Sequence, residues 1–257
     1  MKIVVLVKEV PDTYGERKLD QETGLADRDS SGRVLDEVGE RATEVAISYA
    51  ESDPDTEVIV LTVGPESATN SVRKTLAMGA HRAVHIVDEA LSGADLMLTS
   101  EVLAKAIETL SADLVITGNM SSDGSGAVMP ALIAERLGLP AATALDSVEI
   151  ADGAVRGYRA VDGGRALVEA TLPAVISITE QLPEPRFASL KGIMAAKKKP
   201  YDTLTLDVLG IDLEALVPHS IMIAVTKRPP RGAGVKVVDD GSSAAQLADF
   251  LVQKGLV

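Results

Sequence analysis

The sequence predicts an α/β fold: a mostly parallel sheet covered by helices, an antiparallel meander, and an extended C-terminal arm. Three observations carry this. Short apolar runs alternate with longer stretches of helical periodicity through the first two thirds of the 257 residues, the order that right-handed βαβ crossovers produce. The apolar residues, 46% of the chain, are almost all aliphatic, with no Trp, two Phe and four Tyr. Such a composition suits central strands buried on both faces. After Pro140 the pattern changes to β-rich runs broken by Asp-Gly turns, the mark of hairpins.

The elements follow in order. Ile3 to Val7 is a strand, and Leu35 to Glu51 carries helical spacing. Glu57 to Val63 is a strand closing on Gly64-Pro65, followed by a helix from Glu66 to Met78 that Gly79 ends. Ala83 to Val87 is strand, Ala94 to Leu110 helix, and Asp113 to Thr117 strand. A further helix spans Val128 to Leu137, with Gly138 and Pro140 as stop signals. Residues 147–172, SVEIADGAVRGYRAVDGGRALVEATL, read as an antiparallel meander, and AVISIT after Pro173 as a strand rejoining the main sheet. From Gln181 the chain is Pro-rich and then Lys-rich, which reads as an exposed loop. Beyond Tyr201 come two strand-like pieces (TLTLDV and SIMIAV), a Pro/Gly/Arg-rich stretch at Lys227–Gly234, and a helix from about Ser242. A tail of this kind is better suited to wrapping a partner than to forming its own core.

Composition also excludes function classes. A net charge of −13 argues against general affinity for nucleic acid or anionic lipid. Without cysteine there is no disulfide framework, thiolate nucleophile or ordinary iron–sulfur site. The apolar start before Lys8 is too short for a secretory leader, and no stretch reaches the ~20 apolar residues needed to span a bilayer. A soluble, cytoplasmic protein is expected. His81, His85 and His219 lie in no metal-ligand or triad-like setting, and no Gly-Lys-Ser/Thr phosphate loop occurs. The Asp36-Glu37 pair reads as helix-start charge.

Three constellations remain. The turn TGNMSSDGSGAVMPALIAERLG joins strand, Gly-rich loop and helix N-terminus, an arrangement that cradles phosphates on backbone N–H groups. In it Gly124 and Gly126 are free to take positive φ, Ser121, Ser122 and Ser125 offer hydroxyls, and Pro130 fits a first helical turn. Asp123 is repulsive to phosphate, so it is expected to cap backbone donors or bind a ribose hydroxyl. An ordinary capped βα loop explains the same residues. Second, Lys8, Pro11 and Asp12 follow the first strand, and Leu6 and Val63 near two strand ends could flank an adenine or simply belong to the core. Third, EPRFASLKGIMAAKKK sets Phe187, Leu190, Ile193 and Met194 among Arg186, Lys191 and Lys197 to Lys199. Exposed apolar groups rimmed by charge suggest a partner surface, while a loop folded back on the core with solvated lysines is the alternative.

Taken together, IVVLVKEVPD, LDEVGERATEVA, LTVGPESATNSVRKTLAMGAHRAVHI, DLVITGNMSSDGSGAVMPALIAERLGLP, LPAVISI and EPRFASLKGIMAAKKK resemble the electron-transfer flavoprotein beta-subunit family, which includes the FixA-like proteins. The resemblance spans the chain. It implies a Rossmann-like (adenine nucleotide alpha hydrolase-like) domain over residues 1–200, with a partner-recognition loop at 183–200. It implies also an arm, 201–257, embracing an alpha subunit. The alpha subunit would hold most of the FAD, and this chain a structural AMP lined by Leu6, Asp36, Val63, Gly118, Ser122, Asp123, Gly124, Ser125, Gly126 and Ala127. Glu184, Arg186, Phe187, Leu190, Ile193 and Met194 would meet the partner, with Leu190 as anchor, and Tyr14 is a candidate for the flavin ring's side. The implied role is a carrier rather than an enzyme, taking electrons from acyl-CoA and other dehydrogenases to a membrane quinone oxidoreductase. Asp123, Gly124 and Pro130 also resemble electron-bifurcating, NADH-oxidising members that bind a second FAD here, so AMP and FAD both stand at this stage. A nucleotide hydrolase lacks its motifs, and a nucleotide-sensing module would need no alpha partner.

Overall fold

A computed structural model of the chain describes residues 1–212 and 221–257. They fall into two units, Met1–Ile223 and Ala224–Val257. The first opens with β1 (Lys2–Leu6), a long connection carrying β2 (Glu9–Pro11), β3 (Lys18–Leu19), β4 (Ala26–Asp27) and β5 (Arg33–Leu35), then α1 (Glu37–Ser52). Next come β6 (Glu57–Val63), α2 (Thr69–Met78), β7 (Arg82–Ile86), α3 (Leu96–Leu110), β8 (Leu114–Gly118) and α4 (Met129–Leu137). The unit continues with β9 (Ala141–Leu145), β10 (Glu149–Ala151), β11 (Ala154–Val161), β12 (Gly164–Thr171), β13 (Ala174–Ile178), α5 (Leu190–Ala196) and β14 (Tyr201–Leu204).

Seven strands form one parallel sheet in the order β14-β7-β6-β1-β8-β13-β9, and β10-β11-β12 make the antiparallel meander. The aliphatic runs serve both faces at once, because alternate residues of a strand point to opposite sides. Ile3, Val5, Val58, Val60, Leu114, Ile116 and Ile176 pack with Ala42 and Ala46 of α1 and Val72 and Leu76 of α2. Val4, Ile59, Leu61, Val115 and Val175 pack with Val102, Ala106 and Ile107 of α3 and Ile133 of α4. Each fully buried Val, Leu or Ile stabilises the fold by roughly 1.5–3 kcal/mol. Val155 and Ala170 of the meander join the α1/α2 side.

The helices start and stop where side chains supply partners. Asp36 and Asp95 accept N–H groups at the starts of α1 and α3, at 3.2 and 2.9 Å, and Gly138, with φ 64°, closes α4.

Three expectations need correction. The segment after Gln181 is not loop throughout: α5 forms because Ser189 Oγ accepts the Gly192 N–H at 3.0 Å. A strand, β9, occupies Ala141–Leu145 at one sheet edge, where only a change of pattern was expected. Of the SIMIAV piece, Ile221 to Val225 forms no strand, and its Ser220 lies outside the described residues. The TLTLDV piece contributes to β14, which pairs with β7.

From β1 the chain runs outward through β6 and β7, then returns to β8 on the other side of β1. The β1/β8 boundary is therefore the topological switch point, and the crevice beyond its carboxyl ends is where open α/β sheets bind ligands. In the second unit α6 (Ser243–Gln253) has no buried residue, leaving Leu247, Phe250 and Val252 exposed. Among the described residues no helix is long and apolar enough to cross a membrane.

Candidate functional site

Two connections meet at the switch point, the one from β1 to α1 and the loop from β8 to α4. They touch closely because β8 ends on Gly118, where a Cβ would stand only 3.2 Å from the Val38 side chain. Beside this contact lies Asp36, 4% exposed. Its backbone N–H donates to the Lys8 carbonyl at 2.9 Å, and its carboxylate accepts from the Val38 N–H at 3.2 Å and the Ser122 N–H at 2.8 Å. One buried residue thus ties together the chain just after β1, through its backbone N–H, and the start of α1 and the loop after β8, through its carboxylate.

The loop then folds on Ser121, whose carbonyl accepts the Ser125 N–H at 2.9 Å and whose Oγ accepts the Gly124 N–H at 3.3 Å. Gly124 and Gly126 were free to take positive φ. It falls instead on Ser125 (φ 50°) and Ala127 (φ 53°), because the turn closed by Ser121 and Ser125 puts the left-handed residues at its exit. Left-handed backbone at non-glycine residues is uncommon and marks functional loops. The N–H groups of Gly126, Ala127 and Val128 make no hydrogen bond with the described residues, and they stand at the N-terminal end of α4. Free amides beside a helix N-terminus suit an anion.

Of the two roles expected for Asp123, capping backbone donors or binding a ribose hydroxyl, the first is not seen among the described residues. Its carboxylate lies between Lys8 Nζ at 2.8 Å and Arg28 Nη1 at 2.9 Å, with 8% of its side chain exposed. Burial by itself would raise its pKa, but hydrogen bonds from Lys8 and Ser121, with the charge of Lys8 and the bond from Arg28, outweigh it. The carboxyl is held well below the usual carboxylate range. Arg17 donates to the Ser122 carbonyl. Arg17 and Arg28 drew no attention in the sequence: they sit in a polar connection without periodicity and reach the loop only through the fold.

Leu6 and Val63 are half-buried at the carboxyl ends of neighbouring strands and pack on the α3/α4 side of the core. Pro11 is buried in β2, and Asp12 accepts the Tyr14 N–H at 2.9 Å. Tyr14 itself is exposed.

The segment expected to meet a partner lies elsewhere, with α5 against α2. Gly192 permits this approach, since a Cβ there would overlap the carbonyl oxygen of Ala77. Arg73 donates to the Ala196 carbonyl at 3.1 Å. Lys199 reaches the carbonyls of Leu76 at 2.9 Å and Ala80 at 2.6 Å, closing α2, and burial lowers its pKa. Lys199 is therefore structural, whereas Lys191, Lys197 and Lys198 are exposed. Arg186 grips Glu44 at 2.8 Å and also Glu51, both on α1. Phe187 is fully exposed (100%), Leu190 83% and Met194 72%. Ile193 and Glu184 are exposed as well.

Two histidines have structural settings. His81 Nδ1 accepts the Val58 N–H at 2.9 Å. Buried His85 faces the Gly64 carbonyl with Nε2 at 3.1 Å and the Tyr201 hydroxyl with Nδ1 at 2.8 Å. A carbonyl only accepts, so Nε2 carries the proton and Nδ1 accepts from Tyr201. Burial lowers the pKa of His85. His219 lies outside the described residues.

Sequence comparison adds the chain's relatives. A family profile described as "Electron transfer flavoprotein domain" matches residues 23–209. An electron transfer flavoprotein subunit beta of Mycobacterium tuberculosis is 45% identical over 263 aligned positions, covering 99% of each chain. One of Bacillus subtilis is 36% identical, covering 91% of this chain and 90% of its own. A caffeyl-CoA reductase-Etf complex subunit, CarD, of Acetobacterium woodii is 34% identical over 99% of this chain and 97% of its own.

Proposed function

This chain belongs to the electron transfer flavoprotein beta-subunit family, and from that premise we propose that it is one half of a heterodimeric electron carrier of the cytoplasm. An alpha subunit holds most of the FAD, and the loop between β8 and α4 binds AMP as a structural ligand. Electrons arrive from dehydrogenases, among them acyl-CoA dehydrogenases, and leave for a membrane quinone oxidoreductase. The recognition loop 183–200 meets the dehydrogenase, and the arm 201–257 embraces the alpha subunit. The exposed row of Phe187, Leu190 and Met194 supports the first contact, and the exposed apolar residues of α6 support the second.

The observation that carries the nucleotide reading is the free amide set of Gly126, Ala127 and Val128 at the switch point. FAD, when bound, supplies the one- and two-electron chemistry. This chain contributes position. Asp36 fixes the loop, Ser125 and Ala127 turn its amides outward, and Leu6 and Val63 offer an apolar wall for a base. A nucleotide held there favours the folded chain by mass action, since it binds only the folded state.

The alternative, an FAD-binding subunit of an electron-bifurcating, NADH-oxidising flavoprotein, draws support from the likeness to the caffeyl-CoA reductase-Etf complex subunit. Co-purification with the alpha subunit, acid release and chromatography of the bound nucleotides decide between them. One FAD and one AMP per heterodimer are expected. Two FAD without AMP would replace the carrier reading with the alternative, and a stable lone chain that ignores the alpha subunit would overturn both.

A further inference from the structure

We propose that Glu44 and Glu51 of α1 are positioning residues for docking: by locking Arg186 they hold the surface of Phe187, Leu190 and Met194 in its binding shape before a partner arrives. This rests on the reading of residues 183–200 as the segment that meets a dehydrogenase, and deepens it.

Glu37, Arg41, Glu44, Ser48 and Glu51 recur along α1 at three- and four-residue spacing, so they share one face of the helix. That face straps the chain leading into α5. Arg41, its side chain only 10% exposed, donates to the Leu182 carbonyl at 2.6 Å, while Glu37 accepts its Nη2 at 2.9 Å. Glu44 then takes Arg186 in two ways. Its carboxylate accepts the Arg186 backbone N–H at 3.0 Å and the guanidinium at 2.8 Å, and Ser48 Oγ donates to the same carboxylate at 3.0 Å. Glu51 accepts Nη2 at 2.9 Å and also Nη1. Such fork-like pairing fixes direction as well as adding energy. Main chain and side chain of the residue before Phe187 are both held.

The exposed apolar side chains need that hold, because burial does not supply it. Phe187, Leu190 and Met194 all face away from the core, so their positions are set by the backbone beneath them. Polar and steric anchors set that backbone: Pro183 and Pro185 restrict φ, Arg186 is tied to α1, Ser189 caps α5, and Gly192 lies against α2. A stretch with so little burial of its own samples many conformations once untied. Tied, it meets its partner already ordered, and association does not have to supply the cost of ordering it. The resemblance places Arg186 among the partner contacts. Its guanidinium is instead engaged on α1, so Arg186 acts by aiming Phe187 and Leu190, not by touching the partner.

The test is a double-mutant cycle on the full-length chain assembled with its alpha subunit, read as steady-state reduction of the heterodimer by an acyl-CoA dehydrogenase of the same organism. Glu44→Gln and Arg186→Gln are each expected to raise the KM for the heterodimer about tenfold, the effect of freeing roughly one residue, with the loss falling on KM rather than kcat. The double variant is expected to be no worse than either single one, because each change opens the same latch. Amide exchange at Phe187 in the free heterodimer should quicken in all three. Glu51→Gln, at a side chain 60% exposed, should raise KM about threefold. It carries the test if the other variants fail to fold, which melting curves report. Single effects that multiply in the double variant, or a KM unmoved in folded variants while Leu190→Ala is impaired, overturn the positioning role alone. Reduction unimpaired in every variant including Leu190→Ala, or a wild type that takes no electrons from the dehydrogenase, overturns the docking reading with it.

Discussion

The Asp36 carboxylate accepts the N–H of Ser122, 86 positions further on, at 2.8 Å, and through its other oxygen the N–H of Val38 at 3.2 Å. Removing the side chain costs a helix cap and strands a part-buried donor. Asp36→Ala is expected to lose about 1.5–5 kcal/mol of stability, combining about 0.5–2 for the cap with about 1–3 for the orphaned N–H. Urea unfolding of the two proteins measures it. Asp36→Asn keeps one of the two accepting oxygens and should lie between wild type and Ala, and equal midpoints for all three would refute the account.

Gly192 and Leu190 separate fold from docking. A methyl at Gly192 overlaps the Ala77 carbonyl oxygen, so Gly192→Ala should push α5 from α2 and lower stability by about 1–3 kcal/mol. Leu190 is 83% exposed, so Leu190→Ala should stay within about 0.5 kcal/mol of wild type. Under the proposed function both variants slow electron uptake from a dehydrogenase while leaving AMP affinity unchanged. Normal uptake by Leu190→Ala would remove that residue from the docking surface.

Acid should weaken the Arg186 clamp. Burial tends to raise the pKa of Glu44, yet bonds from Arg186 lower it below its ordinary 4.5, and Arg186 lowers that of exposed Glu51 likewise. For a depressed carboxylate the stabilisation is complete above the unfolded pKa and is lost as pH falls through the folded one. Stability should therefore drop from about pH 4.5 downward more steeply in wild type than in Arg186→Met. Parallel midpoint-against-pH curves would show that the clamp contributes nothing.

A second pH dependence comes from His85. Burial lowers its pKa from 6.5, while the Gly64 carbonyl, Glu9 and Glu66 pull the other way, and Tyr201 and Arg73 complete its surroundings. A depressed histidine leaves stability intact above 6.5, and stability declines as pH falls toward the folded value, because the unfolded chain takes the proton first. As pH falls below about 6.5 the wild type should lose stability that His85→Gln does not. A slope that survives in the variant would assign it to other groups.

What could be read from the sequence was whatever is locally written. The α3 stretch and the buried β6 and β8 runs appear within a residue or two of their expected ends, and α2 ends at Met78 as expected but begins three residues late, because periodicity and stop signals are properties of neighbours. The α5 helix was hidden because its apolar residues face outward and its prolines lie just upstream. Lys199 looked like one lysine of a run, although it closes α2. The partnership of Asp123 with Arg28 links a loop to a distant polar connection, and no spacing rule reaches that far. Positive φ at Ser125 and Ala127 rather than at the glycines was settled by hydrogen bonding around Ser121, a three-dimensional matter.

The almost wholly aliphatic, Trp-free interior has an optical consequence. Without Trp, the chain's near-ultraviolet emission comes chiefly from its four tyrosines, with Tyr14 facing solvent and Tyr201 bound to His85. In a complex, light absorbed at the red edge of the protein band would excite only indoles contributed by other chains. Quenching or energy transfer to a flavin could then be followed against a dark background, with this subunit silent throughout.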